Sequence, residues 1–451
     1  MNKNLINGSP YKGILSFSVP ILLGQVLQQL YNMVDSAIVG NFVGIEALAG
    51  VGSTGALHFL VLGFVIGASS GFGVPIANCY GANDMKKLKK YFTNSVYMTA
   101  ILSVFISVVM LIFIEEILTL MNTNEDMMYY AQSYMSVILA GIIGMFFYNL
   151  FSATLIAIGD SKTPLKFLTL SAVLNIVLDL VFVLVLNLGV FGTGLATVIS
   201  QTVAAIACVI YINKKVDILK TTKEDWAFDL EITKHILTTS VPMGLQFSIA
   251  SIGALILQST VNTLGTAYVA AITAASKISS ITMNVISSLG LTMATYSSQN
   301  LGAKKLDRIN KGLVQALIMG FIYSIIVFII LALTGKYLIL ILISASETQI
   351  IELAYLYLLV NSGSYIICTL LHVFRNSLQG IGYSSVAMMA GVMEMIGRIM
   401  VAYVLIPKFG YNGAILSDPI AWGAALLFLI PMYIIAIKKY KNSFPNEIKS
   451  E

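Results

Sequence analysis

The stretch Gln25-Val-Leu-Gln-Gln-Leu-Tyr-Asn-Met-Val-Asp-Ser36 lies inside an apolar run that extends from Ile14 to Val39. This run is long enough to cross a bilayer, which takes about 20 residues. Because a carboxylate that faces lipid costs at least about 2.5 kcal/mol, its polar side chains should look into a helix bundle or a wet cavity, and Asp35 is a functional candidate. Four of these side chains, spaced by three, four and three residues, fall on one helix face: Gln25, Gln28, Asn32 and Asp35.

The bulk composition predicts a polytopic helical membrane protein. The chain has 451 residues, of which 57% are hydrophobic and only 10% are charged, and its mean hydropathy is +0.87. A soluble domain would need far more surface charge. The apolar runs are long and continuous, which favours helices over the short alternating strands of a barrel. Three cysteines lie in apolar runs without metal-like spacing, and neither a disulfide framework nor a cofactor is expected: Cys79, Cys208 and Cys368.

Length and flanking charge predict an all-α protein with about twelve transmembrane helices. Several of these spans exceed the minimum length, so they must tilt, bend or protrude. The predicted spans are approximately 14–39, 46–78, 91–114, 128–157, 165–187, 190–212, 233–262, 268–299, 312–334, 350–379, 385–406 and 411–437.

The distribution of basic residues predicts the orientation of these spans. An even span count places five lysine-containing loops on one side, and the other side carries only Lys336 and Lys408. Both termini are therefore predicted to be cytoplasmic, and a nucleic-acid patch is the disfavoured alternative for the lysine runs. The loops on the basic side contain Lys86, Lys87, Lys89, Lys90, Lys162, Lys166, Lys214, Lys215, Lys220, Lys223, Lys234, Lys304, Lys305, Arg308, Lys311, Lys438, Lys439 and Lys441.

The chain also contains an internal repeat. Four short motifs recur in order at offsets of 222, 221, 223 and 221 residues, beginning with Ser-Val-Pro20 and Ser-Val-Pro242. Each half has an even number of spans, so the repeat should be parallel, with an axis along the membrane normal. The predicted domains are a six-helix bundle at 1–212, a cytoplasmic linker at 213–232 and a second six-helix bundle at 233–451.

Two polar residues in the fifth span can bind a cation or a proton. Asn175 and Asp179 are four residues apart and share a helix face. The position that corresponds to Asp35 in the second half is Leu257, so a coupling-ion site is expected in the first half. Ser, Thr and Gln residues of the sixth span share one side, where hydrogen bonding between helices is the favoured interpretation: Thr193, Thr197, Ser200 and Gln201.

The second half has its own polar residues within predicted spans. Glu394 and Arg398 are four residues apart and are predicted to pair. A structural network that orients the helices is the favoured interpretation, and a functional role stays open. The members of this group are Lys277, His372, Arg375, Gln379, Glu394 and Arg398.

Several motifs that are typical of enzymes and metal sites are absent from the sequence. It has no G-x-x-x-x-G-K-[ST] phosphate loop, no H-E-x-x-H and no Cys/His metal cluster. The protein is therefore not expected to be an enzyme, and uphill transport would need an ion gradient.

The set of motifs resembles the multidrug and toxic compound extrusion (MATE) family across nearly the whole chain. The set consists of the Ser-Val-Pro opening of each half, the Gly-Ala basic loops, Leu174-Asn-Ile-Val-Leu-Asp179 and a Gly-x-x-Gly turn. The resemblance implies two six-helix bundles around a central cavity, with alternating access. It also implies export of organic cations in exchange for H⁺ or Na⁺. By motif position, the family's first-bundle site corresponds to Asp35, Asn175, Asp179 and Thr197, and Asp35 and Asp179 would be metal ligands only if Na⁺ is the coupling ion.

One branch of the family also has acidic residues in the seventh and tenth helices. Here the seventh span has none between Val241 and Asn262, and the tenth offers Cys368 and His372. A second-bundle carboxylate site of that kind is therefore not expected.

The sequence thus predicts an ion-coupled antiporter in a bacterial-type cytoplasmic membrane. It should export lipophilic and cationic drugs, bind no nucleic acid, contact membrane lipid and function as a monomer. The alternatives are a lipid-linked oligosaccharide flippase of the same superfamily, a membrane-embedded enzyme and a passive channel. The candidates for lining its cavity are Gln25, Gln28, Asn32, Lys277 and Arg375.

Overall fold

A computed structural model describes residues 5–121 and 123–443, and within these residues it contains helices and no strands. Ten helices are long and apolar enough to cross a membrane. Two further pairs of helices, each bent by 50° or 46° at a short break, bring the number to twelve if each pair forms one span. The all-helical prediction with about twelve spans is confirmed.

The first half of the chain contains nine helices. Two of them continue into a π-helical turn, α1 at Val39–Val43 and α8 at Val181–Val185. The helices are α1 (Pro10–Ile38), α2 (Ile45–Ser53), α3 (Gly55–Gly81), α4 (Met85–Ile112), α5 (Ile114–Leu120), α6 (Glu125–Ala140), α7 (Ile142–Ala157), α8 (Lys162–Leu180) and α9 (Gly189–Lys215).

The second half repeats this pattern. Short 3₁₀ turns at Asp217–Leu219 and Lys223–Trp226 precede it, and a π-helical turn at Val401–Leu405 follows α15. The helices are α10 (Leu230–Asn262), α11 (Thr266–Gly302), α12 (Leu306–Ile339), α13 (Thr348–Gly363), α14 (Tyr365–Gly380), α15 (Ser384–Met400), α16 (Ile406–Phe409), α17 (Tyr411–Ala414) and α18 (Ser417–Ser443).

The chain divides into two compact units. Unit 1 covers Leu23–Gly244, and unit 2 combines residues 5–22 with 245–443. The first part of α1 therefore belongs to unit 2, and the first part of α10 belongs to unit 1. Residues 213–232, predicted as a linker between two bundles, lie in unit 1. The domain boundaries predicted at 212 and 233 stay a prediction.

Close helix packing forms the interior of each unit. In unit 1, α7 packs against α3 and α9, and α9 packs against α8. In unit 2, α14 packs against α11 and α18. Gly380 allows the α11–α14 contact, because a Cβ at this position would lie 2.2 Å from the carbonyl oxygen of Ala294. Small residues let membrane helices approach in this way.

In each unit a short segment with turns, which precedes the first helix of that half, is held against one helix. In unit 2, Arg308 of α12 donates hydrogen bonds to the carbonyl oxygens of Leu5, Asn7 and Gly8 over 2.7–3.1 Å. In unit 1, α4 binds the segment that precedes α10: the Tyr97 hydroxyl donates to the carbonyl of Trp226 over 2.9 Å. The two halves thus repeat this contact as well as their helices.

Candidate functional site

The polar face of α1 is exposed to different degrees along its length. Asp35, Gln25 and Gln28 are half-buried, whereas Asn32 is exposed. Tyr31 is buried between them and its hydroxyl lies within hydrogen-bonding range of Gln28 and Gln201. The four residues predicted from their spacing do lie on α1, and Asp35 reaches the polar residues of α8 and α9.

The structure brings Asp35, Asn175, Asp179 and Thr197 together in unit 1. Asn175 and Asp179 of α8 and Thr197 of α9 are buried. The Asn175 amide Nδ2 donates to Thr197 Oγ1 over 3.4 Å, and the Asp35 carboxyl lies within range of both Asp179 and Thr197. Three helices therefore contribute to one cluster, which we call the carboxylate cluster.

Four oxygens of this cluster lack hydrogen-bond donors. The Thr197 hydroxyl already donates to the Thr193 carbonyl over 3.1 Å, so its proton is not available to a carboxylate. A buried oxygen without a donor costs about 1–3 kcal/mol, and more when it is charged. Four buried side-chain oxygens find no partner among the described residues: Asp35 Oδ1, Asn175 Oδ1, Asp179 Oδ1 and Asp179 Oδ2.

This donor set fits a small hard cation or a proton. Carboxylate, amide and hydroxyl oxygens are the ligands that hard cations take, and two facing carboxyls can also share one proton. Groups of three or more His, Cys, Asp or Glu side chains suited to a multivalent metal do not occur in the described parts of the chain. A cation or a proton bound between the carboxyls would supply the partners that these oxygens lack.

Two tyrosines near the cluster were missed by sequence reasoning. Tyr31 and Tyr134 are both within electrostatic range of Asp35 and Asp179. Tyr31 precedes Asp35 by four residues, so it lies on the same face of α1, and this spacing was the available signal. Tyr134 on α6 has no such signal, because only the fold brings α6 towards this site. Its ring stacks on His58 of α3, with centroids 6.3 Å apart.

In unit 2 the predicted Glu394–Arg398 pair is wrong. Arg375 Nη1 of α14 lies 2.7 Å from Glu394 Oε1, and Arg398 Nη2 lies 3.4 Å from Asp418 Oδ1 of α18. A spacing of four residues favours a pair on an isolated helix surface. Inside a bundle, the neighbouring helices supply closer partners for both side chains of α15.

Two amide side chains of unit 2 donate to other polar side chains of the same unit. Gln379 Nε2 donates to Gln246 Oε1 over 2.6 Å, and Asn361 Nδ2 donates to Asp418 Oδ2 over 2.9 Å. Lys277 of α11 is exposed and forms no ion pair with any acidic residue in the described part of the chain. Arg375 and Arg398 are thus neutralised by Glu394 and Asp418, so they do not favour the anionic head group that a lipid-linked oligosaccharide flippase would bind.

Comparison with known proteins decides the family. The MatE family profile matches residues 20–181 and 242–404, one segment in each half of the chain. The chain belongs to the MATE family.

Two proteins of Bacillus subtilis resemble the chain, one over nearly its full length and one over about two thirds of it. The "Probable multidrug resistance protein YoeA" of Bacillus subtilis is 27% identical over 441 residues, which cover 96% of this chain and 95% of that protein. The "Probable multidrug resistance protein YpnP" of the same organism is 30% identical over 297 residues, 65% of this chain and 66% of that protein.

A solved structure of an outward-facing multidrug resistance MATE transporter has a TM-score of 0.90 and 24% identity, and the match covers 98% of this chain and 99% of that chain. This likeness supports the fold. The predicted resemblance is confirmed, and the protein is a multi-pass membrane transporter of the MATE type.

Proposed function

We propose that this MATE protein is an ion-coupled antiporter that exports lipophilic and cationic compounds by alternating access, with H⁺ or Na⁺ as the coupling ion. Its curated relatives carry names of multidrug resistance proteins, which supports the substrate class. The observation that carries the coupling is the group of four unpartnered oxygens in the carboxylate cluster. Buried carboxylates without donors need a positive charge, and a transported ion supplies one reversibly.

The proposed exchange is a competition for one negative site. When the coupling ion occupies Asp35 and Asp179, their charge is neutralised and a cationic compound is no longer attracted. When the ion leaves, the carboxylates recover their charge and the compound can bind. Drug binding should therefore weaken as the concentration of the coupling ion rises.

The energy of one ion is enough for useful export. A monovalent ion that crosses 100 mV supplies about 2.3 kcal/mol. Each tenfold gradient of a neutral substrate costs about 1.4 kcal/mol, so one ion supports a gradient of roughly fortyfold. Exchange for a monovalent drug cation moves no net charge, and then only the concentration gradient of the ion drives export.

Dye efflux from proteoliposomes under separately imposed H⁺ and Na⁺ gradients tests this proposal. We expect Asp35→Asn and Asp179→Asn each to reduce gradient-driven efflux by at least about 100-fold, because a neutral amide cannot exchange a proton or balance the charge of Na⁺. The matched control is Asp126→Asn, which changes an exposed carboxyl of α6 in the same unit.

The two ions are separated by a further variant. Thr197→Val removes a neutral oxygen ligand and no charge, so it should raise the Na⁺ concentration for half-maximal efflux and leave proton-driven efflux nearly unchanged. Normal pumping by both Asp variants would place the coupling site elsewhere. Movement of lipid-linked sugar precursors without dye efflux would favour the flippase.

A further inference from the structure

The segment between α9 and α10 is confined to the membrane surface. α9 ends at Lys215 and α10 begins at Leu230, and both are helices long enough to span a membrane. Fourteen residues separate them, Val216–Asp229. Because both ends continue into membrane-spanning helices, this linker is held close to the membrane surface.

One side of the linker is fixed to α4. Thr93 Oγ1 donates to the carbonyl of Asp225, and the Asp229 backbone N–H donates to Asn94 Oδ1 over 3.0 Å. Lys90 Nζ lies 3.8 Å from Asp229 Oδ2. The side chain of Asp225 is buried. The linker is therefore fixed to α4 through its backbone and through Asp229, while the Asp225 carboxyl accepts hydrogen bonds from Thr222 within the linker itself.

The end of the linker and the first residue of α10 carry large apolar side chains. Trp226, Phe228 and Leu230 are 39%, 57% and 74% exposed. The rings of Trp226 and Phe228 both contact Tyr97, with centroids 5.8 Å and 6.3 Å away. We call these three exposed residues the linker patch.

The charges around the linker patch favour an anionic surface. Residues 213–234 contain five lysines and five acidic residues, so their charges cancel. The first turns of α4 add Lys86, Lys87, Lys89 and Lys90, and Lys86 and Lys89 lie within electrostatic range of Asp225 in the linker. An aromatic apolar patch beside a group of lysines is the pattern of segments that lie in the interface of a membrane with anionic lipids.

We propose that the linker patch is a lipid-docking surface. Trp226, Phe228 and Leu230 insert into the interfacial region of the leaflet at which α4 begins, and Lys86 and Lys89 bind anionic head groups there. This anchoring fixes the depth at which α10 begins relative to the plane of the bilayer. It is independent of the coupling chemistry, since no residue of the carboxylate cluster takes part.

Tryptophan fluorescence in vesicles tests the proposal. The chain has two tryptophans, and Trp422 is buried, at 3% exposure. Trp422→Phe leaves Trp226 as the only tryptophan, and Trp226→Phe leaves the buried Trp422 as the control. Each full-length protein is reconstituted in phosphatidylcholine vesicles and in vesicles with equal parts of phosphatidylglycerol. The quenchers are lipids brominated near the head group and iodide on both sides of the membrane.

We expect brominated lipid to quench at least about half of the Trp226 emission, because the ring lies at the depth of the bromine atoms. Iodide quenching should be about threefold weaker in vesicles than in detergent. Phosphatidylglycerol should strengthen the lipid quenching, and Lys86→Gln with Lys89→Gln should abolish that gain. The double variant Lys438→Gln with Lys439→Gln removes the same amount of charge from α18. In this control, phosphatidylglycerol should still strengthen the lipid quenching.

Two results would overturn the proposal. One is equal iodide quenching of Trp226 emission in vesicles and in detergent, together with no quenching by brominated lipid. The other is protection from iodide that arises only when cytosolic extract is added, which would assign the patch to a protein partner. If Trp422→Phe lowers the folded yield, the same comparison is made between the unmodified protein and Trp226→Phe, and lipid quenching must disappear in the latter.

Discussion

Two buried acidic side chains of this protein have opposite surroundings. Glu394 receives the guanidinium of Arg375 at 2.7 Å, whereas both carboxyl oxygens of Asp179 find no donor within the described residues. A charge that is paired within the protein suits a structural role. An unpaired buried carboxyl can take up a proton or a cation, as the proposed coupling requires. The two units therefore differ chemically in the groups that surround each carboxyl, more than in whether that carboxyl belongs to Asp or Glu.

The Arg375–Glu394 pair should be important for stability. Glu394→Gln or Arg375→Met alone leaves one buried group without its counter-charge, so each should lower the free energy of unfolding by about 3–5 kcal/mol. The double variant should recover most of this loss. Thermal melting in detergent, followed by the amount of monodisperse protein, measures the effect.

The matched control is the Lys336–Glu352 pair in the same unit, whose side chains are 46% and 62% exposed. Glu352→Gln should change stability by less than about 1 kcal/mol, because exposed pairs are screened by water and salt. Single variants of Arg375 or Glu394 that melt normally but do not transport would instead assign this pair to the transport cycle.

The sequence could predict which residues are polar within the membrane, but only some of their partners. Spacing placed Asn175 and Asp179 on one face, and the family resemblance joined Asp35 and Thr197 to them. The partner of Glu394 could not be predicted, because Arg375 is nineteen residues away on another helix. Side chains on one helix are related by a fixed geometry, whereas those on different helices are related only by the fold.

At the scale of elements, some boundaries follow from turn-forming residues inside apolar runs. The span predicted at 46–78 is divided into α2 and α3 at Thr54. Gly52 and Gly55 flank this position, and the Thr54 N–H bonds the carbonyl of Val51, a tighter turn than an α-helix has. The predicted spans 128–157 and 350–379 each correspond to a bent pair of helices. Hydropathy detects that a segment crosses the membrane, but the position at which its helix breaks depends on local backbone geometry.

The linker should respond to acid through Asp225. The backbone N–H of Thr222 donates to Asp225 Oδ2 over 2.7 Å and holds the pKa of this carboxyl below its usual range, with help from the Thr222 hydroxyl, Lys89 and Lys86. A lowered pKa means that the ionised form stabilises the docked linker. This contribution is complete above the ordinary pKa of about 3.9 and is lost as the pH falls through the lowered value.

Trp226 emission in the Trp422→Phe protein should therefore stay constant from neutral pH to about pH 4 and change below it. Asp225→Asn should loosen the linker already at neutral pH and speed tryptic cleavage after Lys223. The control is Asp217→Asn, since Asp217 is fully exposed and pairs only with Lys220. Equal cleavage rates in Asp225→Asn and unmodified protein would show that this cap does not hold the linker.

At the scale of the whole molecule, the parallel repeat predicts that equivalent loops share one side of the membrane. Cysteines at Ala82 and Asp307 should react with an impermeant maleimide only from the cytoplasmic side, because both loops carry the lysine runs. A cysteine at Ser346 should react only from the other side. The native cysteines are all buried and need no replacement. Ala82 is chosen over Asp84, whose side chain caps α4 through the Lys87 N–H.

Labelling of Ala82→Cys and Asp307→Cys from opposite sides would contradict the parallel arrangement of the halves. The sequence could predict that arrangement, because repeat offsets and charge bias are both linear properties of the chain. It could not predict that α1 and α10 each divide between the two units, at Leu22–Leu23 and Gly244–Leu245. That division depends on which helices touch, and helix contacts are not encoded in span length.

The π-helical turns at Val181–Val185 and Val401–Leu405 also determine which residues of their helices share a face. They follow α8 and α15, which occupy the same place in the two halves, and they begin 220 residues apart. A π turn closes its hydrogen bond over one residue more than an α turn does, so the residues beyond it are shifted by one position relative to those before it. Because one position on a helix is a rotation of about 100°, a spacing of three or four residues does not keep two side chains on one face when the turn lies between them. Deleting one residue from either turn would give that helix a continuous α-helical phase.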